Sequence, residues 1–262
     1  MSHPPAAIIL AAGKGTRMKS DLPKVAHRAG DIPMVQWVAR ACAQAGCARI
    51  IVVVGYQQDV VRAIFEEHDS ELEGCEILFA VQDEQLGTGH ATQCAQPLLQ
   101  DFQGDVFVLV GDGPLLRSQT LSALHDHHRA TNAACSLATA RIDDPTGYGR
   151  IHRDPDGSFL GIVEHKEATP EQLAINEINP SIYCFDSPTL FTSLSGLTRS
   201  ETTGEYYITD LPAMLLGQGR RVEVIGVADA QDALSVNTPE QLASVDRVLR
   251  SRTDSRDPQP QG

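Results

Sequence analysis

The chain has 262 residues, enough to bury a substantial core as one large α/β domain or two small ones. Its 21 basic and 34 acidic residues give a net charge of −13, which argues against binding nucleic acid or an anionic membrane, since both are polyanions. No stretch approaches the roughly 18–20 apolar residues that span a bilayer, no secretory leader is evident, and the six cysteines form no Cys-x-x-Cys pair, so reduced thiols in a cytoplasmic protein are expected.

Apolar runs alternate with segments of helical period, the pattern of an α/β fold. Residues 6–12 read as a first strand. Residues 33–45 read as an amphipathic helix, with Met34, Val35, Val38, Cys42 and Ala45 on one face and Gly46 as its stop. A strand over 49–54 ends at Gly55, a helix covers 59–68, a strand 77–81 and a helix 89–100. The strand over 106–110 runs into Gly111-Asp112, and a helix over 119–131 and a strand over 135–140 follow. His125, His127 and His128, on the polar helix beside Asp126, are expected to be solvated. Beyond residue 141 the pattern changes. Asp154-Pro-Asp-Gly157 between β-like runs at 149–152 and 159–164 signals a hairpin. A strand over 182–185, a helix over 206–216 and a strand over 222–227 lead to a last helix over 238–250, capped by Asn237 or Thr238 with Pro239 in its first turn. Residues 251–262 are polar, carry prolines and are expected to be disordered.

The most informative stretch is residues 8–24. After the first strand, Gly13 and Gly15 let backbone N–H groups approach an anion, Arg17 can fork onto phosphate oxygens, and Lys24 follows Pro23. Four cations, Lys14, Arg17, Lys19 and Lys24, fall close together in an otherwise acidic chain. The loop is not the ATPase phosphate loop, because no Gly-Lys-Ser/Thr closes it. The dinucleotide fingerprint also fits poorly, with Met18 where its third glycine belongs. A glycine turn with surface cations is the plain alternative, and Arg17, Pro23 and Lys24 at close spacing weigh against it.

Leu10-Ala-Ala-Gly-Lys-Gly-Thr-Arg-Met18 followed by Leu22-Pro-Lys24 resembles the signature of the sugar-1-phosphate nucleotidyltransferases, in particular the uridyltransferase domains that act on N-acetylglucosamine-1-phosphate. Gln82, Gln85-Leu-Gly-Thr-Gly-His-Ala91, Gly111-Asp112, Tyr148-Gly149, Val163-Glu-His-Lys166, Glu177-Ile-Asn179, Glu205–Asp210 and Ser235-Val-Asn-Thr238 extend the similarity over most of the chain. The resemblance implies an α/β fold with a Rossmann-like mixed sheet of the nucleotide-diphospho-sugar transferase type and a smaller, β-rich sugar-binding part. It implies one domain over residues 1–250, with a nucleotide half to about residue 115 and a sugar half from about 116 to 250.

The same resemblance implies a UDP-N-acetylglucosamine pyrophosphorylase-like enzyme acting on UTP and a sugar-1-phosphate. Arg17 and Lys24 would be catalytic, and Leu10, Ala11, Ala12, Gly13, Lys24, Gln82, Gly87, Thr88, Gly111 and Asp112 would bind the nucleotide. Gly149, Glu164 and Asn179 would bind the sugar phosphate, with Mg²⁺ on Asp112 and Asn237. From the residues alone, Asp112 could equally shape a turn, Asn237 could cap a helix, and Gly87 could serve a glycine-rich strand-to-helix turn. The Glu205–Asp210 motif reads as the start of a packed helix rather than as catalytic. Three departures from the family pattern stand out: Gly113 replaces its valine, Val110 its aromatic residue, and Pro180-Ser181 its Thr-Gly. Another sugar phosphate or NTP, or a catalytically silent sugar-nucleotide binder, are the rival readings. No hexapeptide repeat is visible, so a single-activity enzyme without a C-terminal β-helix acetyltransferase is expected, as a monomer or small homo-oligomer, with a shortened bifunctional enzyme as the alternative.

Overall fold

The computed structural model describes residues 3–254. The elements in chain order are β1 (Ala6–Leu10), β2 (Arg28–Ala29), β3 (Ile32–Pro33), α1 (Met34–Gln44), β4 (Arg49–Val54), α2 (Gln58–Ile64), β5 (Glu76–Val81), α3 (Thr88–Cys94), β6 (Asp105–Val110) and α4 (Ser118–Thr131). There follow β7 (Cys135–Ala138), β8 (Ala140–Arg141), β9 (Gly149–Arg153), β10 (Phe159–Val163), α5 (Pro170–Leu173), β11 (Glu177–Asn179), β12 (Ile182–Asp186), α6 (Ser187–Leu194), α7 (Leu211–Gly217), β13 (Val222–Ile225) and α8 (Pro239–Asp254).

Seven strands form one sheet in the order β13-β7-β12-β6-β1-β4-β5, in which β12 alone runs against its neighbours β6 and β7. Strands from both halves of the sequence share it. β1 is buried on both faces, as expected of a central parallel strand. Ala6 and Ile8 pack on one face with residues of α3, α6 and α7, while Ala7 and Ile9 pack on the other with residues of α1, α2 and α4. From β1 the chain goes first to β4 and β5 on one side and then returns to β6 on the other. The carboxyl ends of β1 and β6 thus lie at a topological switch point, where open α/β sheets bind ligands. Leu10 pairs with Val110 at that edge, so residues 11–13 and Gly111-Asp112 emerge side by side. A second, antiparallel sheet, β10-β9-β11-β8, stands beside this edge.

Several sequence expectations are corrected. The helix read from residue 206 starts later: residues 205–207 are not helical, and a 3₁₀ turn at Ile208–Asp210 leads into α7. Tyr206 exchanges backbone bonds with Leu86 and Gly89, and α7 begins only at Leu211, with Pro212 in its first turn. The helix expected over 89–100 breaks after Cys94 into a short 3₁₀ turn at Gln96–Leu98 that contains Pro97. α6 was not expected, although Asp186 caps it by accepting from Thr189 N and Pro188 sits in its first turn. His128 is 2 % exposed and hydrogen-bonds Ser136 Oγ, while His125 donates to Asp105, so two of the three histidines are structural rather than solvated. Finally, α8 continues four residues past its expected end into the segment 251–262, of which residues 255–262 lie outside the described residues.

α8 ties the two ends of the described chain together. Asp246 accepts from Gly30 N at 2.7 Å, and Arg250 grips Asp31 through two bonds of 2.9 Å. Beneath these polar contacts, Met18, Ala29, Met34, Leu115, Val236, Val245 and Leu249 form a small apolar cluster. This packing carries the N-terminus of α8 to the 10–24 loop.

Candidate active site

The loop after β1 folds back on itself. Gly15 and Lys19 both adopt positive φ around a 3₁₀ turn at Thr16–Met18, and a Cβ on Gly15 would collide with that of Lys24. The compaction turns Arg17 and Lys24 toward one corner. Of the other two cations, Lys14 lies over the Tyr56 ring at 5.1 Å and Lys19 is exposed, so half of the sequence's cationic island belongs to the site.

That corner is where distant parts of the chain meet. Lys24 Nζ forms an ion pair with Asp112 Oδ2 and donates to Asn237 Oδ1 at 3.0 Å, and Arg17 Nη2 donates to the same Asn237 oxygen at 2.8 Å. Val236 N donates to Asp112 O at 2.9 Å and fixes the two acceptor-bearing loops to each other. Thr238 Oγ1 accepts from Gln241 N, and Gln241 Oε1 accepts from the backbone of Asn237 and Thr238. This reciprocal cap at Thr238 frees the Asn237 side chain from capping duty. Asp112 Oδ1 is buried without a hydrogen-bond partner among the described residues. Such an atom is costly to bury unless something satisfies it. A hard divalent cation such as Mg²⁺ suits it, with Asn237 Oδ1 as a neighbouring oxygen. Among the described residues no group of three or more His, Cys, Asp or Glu side chains assembles as a metal site. An ion here would therefore rely on oxygens from a substrate, as Mg²⁺ commonly does.

Two clefts open from the corner and share Leu10, Thr88, Val110 and Asp112. The first, of about 270 Å³, is lined by Leu10, Ala11, Ala12, Gly13, Lys24, Gln82, Gly87, Thr88 and Asp112 together with Val25, Gln85, Ala91, Val110 and Glu205. Its rim is held by backbone contacts. Gln85 Nε2 donates to Ala12 O at 2.6 Å, and Gly87 takes φ 98° with the Tyr206 carbonyl so near that a Cβ would stand 2.5 Å from its oxygen. Gly111 lines neither cleft. It packs under the floor, its N–H donating to Leu10 O at 3.0 Å.

The second cleft, of about 300 Å³, brings Arg17, Asp112 and Asn237 together with Gly149, Glu164 and Asn179. Glu164 Oε1 accepts from Thr209 Oγ1 at 2.8 Å, and burial pushes its carboxyl above the ordinary range against the pull of that bond. Asn179 Nδ2 donates to the buried Tyr183 hydroxyl at 2.6 Å, while its Oδ1 accepts from Ser181 N. Ser181, a non-glycine residue at φ 59°, and Pro180 form part of the wall. Tyr148 also lines this cleft, and its hydroxyl accepts from Ser235 N, tying the second sheet to the loop before Asn237. Tyr207, Ile208 and Thr209 line it as well, so the segment assigned to structure from the sequence belongs to the site's wall. Nothing in its local pattern signals this, because its facing partner, Glu164, is 45 residues away.

Fold and site together set a cluster of cationic and oxygen-bearing side chains at the switch point of an α/β sheet. The family model described as Nucleotidyl transferase matches residues 6–230, and the chain belongs to that family. Among curated relatives it is 47 % identical over 247 residues to the Bifunctional protein GlmU of Geobacter metallireducens, a match spanning 94 % of this chain and 51 % of the relative. The corresponding protein of Pelobacter propionicus is 44 % identical over 94 % of this chain and 52 % of its own length. The chain thus spans about half the length of the curated relatives it matches. A solved structure of UDP-glucose pyrophosphorylase complexed with UDP-glucose superposes with a TM-score of 0.77 at 18 % identity, covering 95 % of this chain and all of that one. The shared fold is that of the nucleotide-diphospho-sugar transferases.

Proposed function

We propose that the protein transfers the uridylyl group of UTP to a sugar-1-phosphate, N-acetylglucosamine-1-phosphate in the first place, releasing pyrophosphate and a UDP-sugar in the cytoplasm. The observation that carries this reading is the corner where Arg17, Lys24, Asp112 and Asn237 bond directly to one another between two clefts. In this reading the first cleft takes the nucleotide and the second the sugar phosphate. The two phosphates then meet at the corner. An oxygen of the sugar phosphate attacks the α-phosphorus, and the bond to the β-phosphate oxygen breaks in line with it. Such a displacement needs positioning and charge stabilisation rather than a protein nucleophile. Lys24 stands beside the α-phosphate and the attacking phosphate, and Arg17 neutralises the leaving pyrophosphate. Gln82, Gly87 and Thr88 hold the uridine, while Gly149, Glu164 and Asn179 hold the sugar. Asp112 and Asn237 would hold Mg²⁺, which when bound supplies charge neutralisation between the phosphates. As a working assignment the protein is a monomer or small homo-oligomer.

A second acceptor, such as glucose-1-phosphate, is favoured by one observation: Pro180 and Ser181 reshape the wall of the sugar cleft. Pyrophosphate release from a panel of NTPs and sugar-1-phosphates, with Mg²⁺ and with chelator, tests the proposal. Turnover of UTP with N-acetylglucosamine-1-phosphate that disappears on chelation is expected. Preference for another sugar would shift the acceptor, and no turnover with any pair would end the enzymatic reading.

A further inference from the structure

Gln82 is 4 % exposed in the wall of the first cleft, and its amide can be oriented from its neighbours. The atom 3.0 Å from Gly87 O must be the amide nitrogen, because a carbonyl only accepts. The same nitrogen stands 3.1 Å from His90 Nδ1. Both amide hydrogens are therefore engaged inside the protein, and Oε1 receives no hydrogen bond from any described residue. An accepting Nδ1 makes His90 the Nε2–H tautomer, with Nε2 facing the Cys94 sulfur at 4.0 Å. A proton on Nδ1 would confront the amide hydrogens. Turning the Gln82 amide over to escape would set Oε1 against the Gly87 carbonyl. Two acceptors on opposite sides thus lock one orientation.

We propose that His90 is a positioning residue for base selection: by accepting from Gln82 it presents an acceptor, and not a donor, to the pyrimidine. The proposal rests on the reading of the first cleft as the UTP site. Uracil offers one donor on its pairing edge, the N3–H, which only an acceptor can meet. Cytosine carries a lone pair at N3, which Gln82 Oε1 repels. His90 therefore contributes to the choice of a pyrimidine imide over an aminopyrimidine without touching either.

The test compares wild type, His90→Leu and His90→Asn for kcat and KM with UTP and with CTP at saturating sugar phosphate and Mg²⁺. In His90→Leu the KM for UTP is expected to rise about fivefold, kcat to change by less than about twofold, and the UTP-to-CTP ratio of kcat/KM to fall about fivefold, the scale of one hydrogen bond. His90→Asn returns an acceptor near the Nδ1 position and is expected to recover most of the loss. Nitrogen NMR of the wild-type imidazole is expected to show the Nε2–H tautomer, a readout that needs no variant and so does not depend on how His90→Leu folds. An Nδ1–H tautomer overturns the proposal. An unchanged KM and ratio in His90→Leu does so too, as does a His90→Asn variant as impaired as His90→Leu. A wild type that releases no pyrophosphate from UTP would sink the uridylyl-transfer reading instead, while the tautomer still reports on the Gln82–His90 pair.

Discussion

The first cleft is walled mainly by two short stretches, residues 10–25 and 82–91, with glycine or alanine at five of its positions. The second draws side chains from β6, β11 and β12, from the loops before β9 and after β10 and from the segments before α7 and α8. Where a wall is lined by glycine and alanine its shape follows the path of the chain, so side-chain changes there disturb the turn itself. A wall made of side chains from many elements can be re-cut one residue at a time. The departures from the family pattern at Pro180 and Ser181 fall in the second kind of wall. Val110, another such departure, lines both clefts, and three experiments bear on the contrast between the walls.

The largest effect is expected at the corner both clefts share. Asp112→Ala should lower kcat by about 10²–10³-fold, the range for loss of one electrostatic stabiliser, while KM values for both substrates move less. Steady-state pyrophosphate release checks this, and turnover at the wild-type rate would show that the two clefts do not meet chemically at Asp112. An intermediate effect is expected for Glu164→Gln, in the second cleft only. The KM for the sugar phosphate should rise about tenfold with the KM for UTP unmoved. The same variant tests the raised carboxyl. A carboxyl whose folded pKa lies above its unfolded value binds more protons in the native state. Wild type should therefore lose stability relative to Glu164→Gln as pH rises from the ordinary carboxylate range through the raised value, and the two should converge below it. Thermal melts across pH decide between this and a parallel shift. The smallest effect is expected at Ser181→Gly. Relief of a left-handed L-residue, partly offset by glycine's greater unfolded freedom, should stabilise the protein by roughly 0.5–1 kcal/mol, or about 1–4 °C. Any change in sugar preference in the same variant, with UTP kinetics intact, would sharpen the contrast between the walls.

The residue 10–24 part of the first cleft was legible because its chemistry is local, whereas Gln82, Gly87 and Thr88 came from the family resemblance. The 10–24 segment carries its glycines, its cations and its fixed proline in one run, and Gln82 lies only five to eight residues from its partners Gly87 and His90. His90 itself was visible in the motif, but its partner atom was not, since the amide's orientation depends on a carbonyl brought near by a turn. The histidines of α4 illustrate the opposite case. A polar helical pattern suggested solvent, yet Asp105 and Ser136 come from neighbouring strands and bury two of the three rings' polar atoms in bonds.

By itself the sequence determined the alternation of strands and helices, the bend after β1 and the identity of the charged groups, because propensity, periodicity and fixed-φ residues act within a few positions of one another. Only the tertiary structure decided that Thr238 caps α8 so that Asn237 can face Arg17 and Lys24, more than 200 residues away. It also decided that residues 205–207 are not helical and that residues 207–209 line the second cleft. Both outcomes come from packing between elements, in which α8 seats its apolar residues on the N-terminal region and residue 206 pairs with the start of α3. No local rule carries that information, because the partners are chosen by the surface they bury together.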